Sequence, residues 1–369
     1  MERFSRFRDN AHEEKILAMP NGIFSYTCLG LSVTLACPLT CRHCITNSSP
    51  HIRDQMSIQE AFSYIREAKG IVDHISITGG EPFLDLSRLR TLIAEAKKCG
   101  YIVSVMTNAY WAVDWKFTYT TLANLKKDGL DVLGVSLDPY HLEFIGEDRC
   151  IRVAEAADSL EIPVHVRVIS AKGDNYGDHA KSILNHTNAD IHVHHPVRLG
   201  RACSLPMEHF CVCHSPPADA CETVTALDIV PGGDVYACCG PGKYMKKSNP
   251  LYLGNASRES LREILERGLT NPFMKVINTC GPKGFIKDLH DRGLSSLLTL
   301  RRRYSDTCQL CLDVTNNPKI VKALQNIYAD KNIQREKNAL QFLKMFQEYK
   351  ALPRNPLNNN MRLSNFETT

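Results

Sequence analysis

Between residues 31 and 198 the chain alternates between two kinds of pattern, and that alternation limits the fold more than any other feature. Six short apolar runs, mostly rich in valine and isoleucine, are LSVTL (31–35), HISIT (74–78), YIVSVMT (101–107), VLGVSLD (132–138), VHVRVIS (164–170) and HVHHPV (192–197). Runs of this kind suit parallel strands buried on both faces. Helical patterns fill the gaps between them. The first opens on Ser57 with Glu60 three residues on, a capping-box spacing, and the second ends in Lys97 and Lys98 before Gly100, a C-terminal stop. Strand–helix units with short connections cross over right-handedly and build one parallel sheet. Six such units predict an α/β fold in the form of an open barrel.

Directly after the first strand pattern comes CPLTCRHC, with Cys37, Cys41 and Cys44. Three thiolates without a fourth describe an incomplete metal site. A 4Fe-4S cluster takes one cysteine per iron, so a cluster held here keeps one iron open to a ligand. A zinc knuckle or three buried thiols account for the triplet equally well. After the second strand pattern stands Gly79-Gly80-Glu81-Pro82. Glycines in that position let the backbone approach a small ligand closely, although GGEP alone is an ordinary turn.

A cysteine triplet after the first strand and GGEP after the second together resemble the radical S-adenosylmethionine (radical SAM) superfamily. The resemblance implies a partial (βα)6 radical SAM barrel over residues 31–200, with its active site at the carboxyl ends of the strands. It implies a 4Fe-4S cluster on Cys37, Cys41 and Cys44, whose open iron is chelated by the methionine part of SAM. One electron then cleaves SAM to a 5′-deoxyadenosyl radical. His43 takes the position where the family usually has an aromatic ring. Gly79, Gly80 and Glu81 look like the contact with the methionine amino group, Pro82 shapes that turn, and Asn108 ends the third strand where many relatives read TNG. Ser136 and Asp138 match the polar positions that meet the ribose hydroxyls, two hydroxyls suiting a carboxylate and a hydroxyl. Capping of the next helix is the other reading of that pair. Arg167 and Ser170 are candidates for the SAM carboxylate or ribose.

After Gly200 the composition shifts to cysteine, proline and glycine, which places a boundary near residue 200. Cys221 is followed by TALDIVPGGDVYACC, a hairpin pattern turning at Pro231-Gly232-Gly233, then by Cys238 and much later by Cys308-Gln309-Leu310-Cys311. This resembles Twitch, the shortened form of the SPASM extension. It implies an auxiliary 4Fe-4S cluster closed by Cys221, Cys238, Cys308 and Cys311, in a domain spanning 201–315. No cysteine follows Cys311, so one auxiliary cluster is expected; a zinc ribbon uses the same ligands. Helical periodicity returns at 257–267 and 317–350, the latter read as a C-terminal helix (316–350). Residues 1–30 form an N-terminal segment, and the asparagine-rich stretch 351–369 is expected to be disordered.

Cys280, in the turn-prone Asn278-Thr279-Cys280-Gly281-Pro282, resembles the extension cysteine with which radical SAM epimerases return a hydrogen atom to their substrate. Cys239 is the rival for that role. Cys28, Cys99 and Cys150 read as core residues, and Cys203, Cys211 and Cys213 as locally structural.

The chain has 369 residues, 43% of them hydrophobic, enough for one large domain and a smaller one. A net charge of +4, with Arg301-Arg302-Arg303 as the one basic run, argues against a nucleic-acid partner. No apolar stretch is long enough for a membrane span, and the polar start lacks the core of a signal peptide. Fifteen cysteines in such a chain point to metal ligands or reactive thiols in a reducing, cytoplasmic setting. The expected function is epimerization of a ribosomally made peptide or an aminoglycoside-like natural product, with a reductant such as flavodoxin or ferredoxin. The alternatives are a dehydrogenase or cross-linking enzyme and, from another class, a non-catalytic iron–sulfur redox sensor. The 30 residues before the first strand are too few for a leader-binding domain, so a separate leader-peptide-binding partner would supply that function.

Overall fold

Every one of the six apolar runs forms a strand, and together they make one parallel array. The computed structural model describes residues 24–351; the start of the N-terminal segment and the tail beyond residue 351 lie outside the described residues. The strands are β1 (Cys28–Thr34), β2 (His74–Gly79), β3 (Ile102–Thr107), β4 (Val132–Ser136), β5 (Val164–Ile169) and β6 (Asp190–His194). Each pairs in parallel with the next. β1 begins three residues before the apolar run that announced it. One face of the array carries Leu29, Leu31, Ile75, Ile77, Val103, Val105, Leu133, Val135, Val166 and Val168, all buried. Each such side chain contributes roughly 1.5–3 kcal/mol when taken out of water. The opposite face is polar, because the register sets Ser76 beside Ser104, Gly134 beside His165 and Ser136 beside Arg167.

Helices α1 (Ile58–Glu67), α2 (Leu86–Lys98), α3 (Trp115–Asp128), α4 (Pro139–Leu142), α5 (Glu147–Ser159) and α6 (Tyr176–Ile183) fill the crossovers. The capping box of α1 forms as expected: the Glu60 N–H donates to Ser57 Oγ at 3.1 Å, and the Ser57 N–H to Glu60 Oε2 at 2.7 Å. α2 ends after Lys98 with Cys99 as its cap.

The sheet does not stop at residue 200. β7 (Ala226–Ile229) adds in parallel to the free side of β1, and β8 (Asp234–Tyr236) and β9 (Tyr252–Asn255) follow antiparallel. The order of the nine strands is β6-β5-β4-β3-β2-β1-β7-β8-β9. The expected hairpin is therefore β7–β8, closed by the Gly233 N–H donating to Val230 O at 3.0 Å.

The second half of the chain is more helical than its composition suggests. It contains α7 (Leu261–Leu269), α8 (Pro272–Cys280), α9 (Lys283–His290), α10 (Thr307–Thr315), α11 (Pro318–Tyr328) and α12 (Lys331–Ala351). The stretch 317–350, expected as one helix, is two. The break falls at Ala329–Asp330, where Asp330 Oδ1 accepts from the Asn332 N–H at 2.8 Å. A buried ion pair between Lys337 Nζ and Asp288 Oδ1 (2.7 Å), joined by the Tyr328 hydroxyl (2.8 Å), fixes α12 against α9 and α11. Among the described residues no helix is long and apolar enough to cross a membrane.

Candidate active site

At the carboxyl ends of β1 and β2 two loops interlock. The Gly80 N–H donates to Thr34 O at 2.6 Å and the Glu81 N–H to Ala36 O at 2.9 Å, so GGEP is stitched to the segment that leads into the cysteine triplet. A Cβ at Gly79 would sit 2.2 Å from Thr34 O, and one at Gly80 would sit 2.0 Å from Ala36 O. Glycine is therefore required by the approach of the cysteine loop itself. The Glu81 carboxylate is fully buried and accepts from the Phe83 N–H (3.0 Å), Thr107 Oγ1 (2.9 Å) and the Asn108 N–H (2.8 Å). Burial pushes its carboxyl up to about 7. Its side chain ties the β2 loop to the end of β3, where Asn108 Nδ2 points at Cys37 Sγ from 3.5 Å.

The triplet is clamped from the second half of the chain. Arg201 donates from Nε to Cys41 O (2.9 Å) and from its terminal nitrogen to Ser48 O (2.8 Å). Tyr244 donates to Ile45 O at 2.7 Å, and Lys243 Nζ donates to Thr46 O. Cys37 and Cys41 are buried and Cys44 is partly so, with Thr46 Oγ1 at 3.2 Å from its sulfur. Burial pushes the Cys37 thiol up to about 12.

Asp138 caps α4. Its Oδ1 accepts from the Tyr140 and His141 N–H groups, both at 3.1 Å, and its Oδ2 lies 2.9 Å from His141 Nδ1. The residue is 0% exposed, and its carboxylate makes the helix cap that the capping reading expects. Burial alone would raise this carboxyl and lower His141, but the two hold each other charged: Asp138 lies below its ordinary value and His141 well above it. His141 also hydrogen-bonds Cys41, which joins Asp138 to the cysteine loop through an imidazolium.

His43 stacks on Tyr140 with ring centroids 4.8 Å apart. Burial pushes its imidazole down to about 4, so it is neutral, and its Nδ1 is buried without a partner. An orphaned polar atom beside the cysteines is what a bound group would satisfy. Ser136 is half-buried at the end of β4, opposite Arg167 in the register. Ser170 is 2% exposed and turns its hydroxyl to Asp174 O at 3.5 Å.

The later cysteines also converge. Cys221 stands before β7, Cys238 follows β8, and Cys308 and Cys311 lie in α10. Burial raises Cys238, whose thiol also feels Cys308, Cys311 and Cys221. Burial likewise pushes Cys311 up to about 12, with Cys221 adding to it. As donor sets, three and four thiolates fit an iron–sulfur cluster, and the set of four fits a zinc ion equally.

On the polar face of the sheet lies a group that the sequence patterns did not single out. Asp228 of β7 sits opposite Gly30 and receives the Ser32 hydroxyl on both carboxylate oxygens, at 2.9 and 3.2 Å. Burial pushes it up to about 7. Burial also pushes the Cys239 thiol up to about 11; its charged neighbours are Asp228, Arg167 and Cys221. One acid inside the apolar run ALDI was the available signal. Cys280, by contrast, ends α8 with Val276, Gly284 and Tyr328 around it, in the helical layer.

Residues 31–178 match the Radical SAM superfamily. Over 306 residues the chain is 23% identical to the putative peptide biosynthesis protein YydG of Bacillus subtilis, covering 78% of this chain and 92% of that protein. Among solved structures, anSMEcpe with bound AdoMet and Cp18Cys peptide aligns at 14% identity and a TM-score of 0.47, over 81% of this chain and 99% of that one. Streptococcus suis SuiB bound to precursor peptide SuiA aligns at 15% identity and a TM-score of 0.46, over 81% and 79%.

Proposed function

We propose, from the match of residues 31–178 to the Radical SAM superfamily, that the chain is a radical SAM epimerase acting on a ribosomally made peptide. Cys37, Cys41 and Cys44 hold the SAM-binding 4Fe-4S cluster, and Cys221, Cys238, Cys308 and Cys311 hold an auxiliary one. When bound, the first cluster and SAM supply a 5′-deoxyadenosyl radical that removes one hydrogen atom from an unactivated C–H bond. The backbone at Gly79 and Gly80 meets the methionine amino group. Ser136, rather than the fully engaged Asp138, meets the ribose, and Arg167 offers a fixed cation for a carboxylate of SAM or substrate.

The observation that carries the epimerase reading is the partly buried Cys239 thiol, which follows β8 and feels the charges of Asp228 of β7 and Arg167 of β5. We assign the hydrogen donor to Cys239 instead of Cys280, whose neighbours belong to the helical layer. Cys239 gives its S–H hydrogen atom to the planar carbon radical from the face opposite to abstraction, which forms the inverted C–H bond and leaves a thiyl radical. One electron from a flavodoxin- or ferredoxin-type reductant and one proton restore the thiol. Asp228, pushed up to about 7, holds a proton for a large fraction of the time near neutral pH. A peptide substrate is supported by the likeness to a protein named for peptide biosynthesis.

The test is product mass in heavy water, using short peptides encoded beside the gene as substrates. The Cys239 S–H exchanges with solvent, so an epimerized product gains one deuterium. A product lighter by two hydrogens would replace this reading with dehydrogenation or cross-linking. Iron binding without any 5′-deoxyadenosine would leave the redox sensor.

A further inference from the structure

We propose that His165, Asp190 and His192 form a third metal site, separate from both cysteine sets, which binds a divalent transition-metal ion of the zinc class. The residues come from two neighbouring strands. His165 of β5 pairs directly with Asp190 of β6, and His192 lies two residues further along β6, so all three stand on one face. Their donor atoms form a nearly equilateral triangle: His165 Nδ1 to His192 Nε2 is 3.2 Å, His192 Nε2 to Asp190 Oδ2 is 3.1 Å, and His165 Nδ1 to Asp190 Oδ2 is 3.6 Å. A metal with bonds of about 2.0–2.1 Å to nitrogen and oxygen sets tetrahedral ligands about 3.3–3.4 Å apart. The observed edges bracket that value.

The donor set adds chemical identity. Two imidazoles and one carboxylate suit zinc, iron(II) or manganese(II), while the thiolate sets elsewhere in the chain select softer partners. The site is open to solvent on one side, the side chains of Asp190 and His192 being 40% and 44% exposed. The position also gives the metal a structural use, because β6 is the terminal strand of the sheet and an edge strand is held on one side only. A cross-strand ion would fasten it to β5.

Anaerobic protein loaded with iron to saturation, so that its thiolates are occupied, is dialysed to equilibrium against buffered Zn2+ and its metal content is measured. The expected result is one zinc per chain beyond the cluster iron. His192→Ala and Asp190→Asn should each weaken that binding by about 100-fold or more, at unchanged iron content and circular dichroism. An anomalous difference peak at the zinc edge, between the three side chains, would locate the ion. Zinc absent from the wild-type protein, or retained equally by both variants, would overturn the proposal.

Discussion

Replacing Gly80 by alanine isolates the contact on which the cysteine loop depends. The new Cβ would lie 2.0 Å from Ala36 O, 2.6 Å from Ala36 C and 2.9 Å from Leu35 C. All three are backbone atoms, so no side-chain rotation relieves the clash, and the loops must separate by about 1.4 Å to reach ordinary contact. That separation breaks the Gly80-to-Thr34 and Glu81-to-Ala36 hydrogen bonds, now 2.6 and 2.9 Å. At roughly 0.5–1.5 kcal/mol net for each bond, the loss is about 1–3 kcal/mol. A domain with ~5–15 kcal/mol of stability survives it. Cys37, one residue beyond Ala36, moves with the loop, and a displacement near 1 Å at a reacting centre lowers rate by about 100-fold. Gly80→Ala should therefore fold, hold less iron than the wild type on anaerobic reconstitution, and cleave SAM about 100-fold more slowly. Iron content and SAM cleavage equal to wild type would refute the reasoning.

Two further perturbations test the ionisable groups. Glu81 has a folded pKa of about 7 against an ordinary value of 4.5, so its contribution to stability is full below pH 4.5, declines as pH rises to about 7, and is flat above. The difference amounts to roughly 3 kcal/mol, and Glu81→Gln should remove that slope in denaturant titrations between pH 5 and pH 8; parallel curves for the two proteins would contradict it. Asp288→Ala leaves the Lys337 ammonium buried and unpaired, and should lower stability by about 3–5 kcal/mol. Changing both residues to apolar ones of similar size should restore most of that loss in the same urea titration.

How far these features were legible depends on the range of the interactions that make them. The six parallel strands follow from local composition, since Ile75, Ile77, Val103 and Val105 are buried beneath helices whose own periodicity and caps are readable. Cys37, Cys41 and Cys44 share one loop, and GGEP follows one strand, so both are local signals. The addition of β7 to β1 is a long-range pairing, and nothing in ALDI announces that Asp228 will lie opposite Gly30 and meet Ser32. The same pairing puts Cys239 beside Asp228 and Arg167, out of reach of any spacing rule. Asp138 was ambiguous for a different reason: cap and ligand contact call for the same residue at the same strand end, and the three bonds its carboxylate makes show the cap. The split of 317–350 hangs on one aspartate, which periodicity averages away.

A direct comparison of Cys239→Ala with Cys280→Ala tests which thiol returns the hydrogen atom in the proposed epimerization. Both variants are reconstituted anaerobically and incubated with SAM, dithionite and the peptide substrate, and iron, 5′-deoxyadenosine and epimerized product are measured. Cys239→Ala should keep its iron and form 5′-deoxyadenosine yet give no epimer, while Cys280→Ala should turn over like wild type. Normal epimer formation by Cys239→Ala would contradict the account.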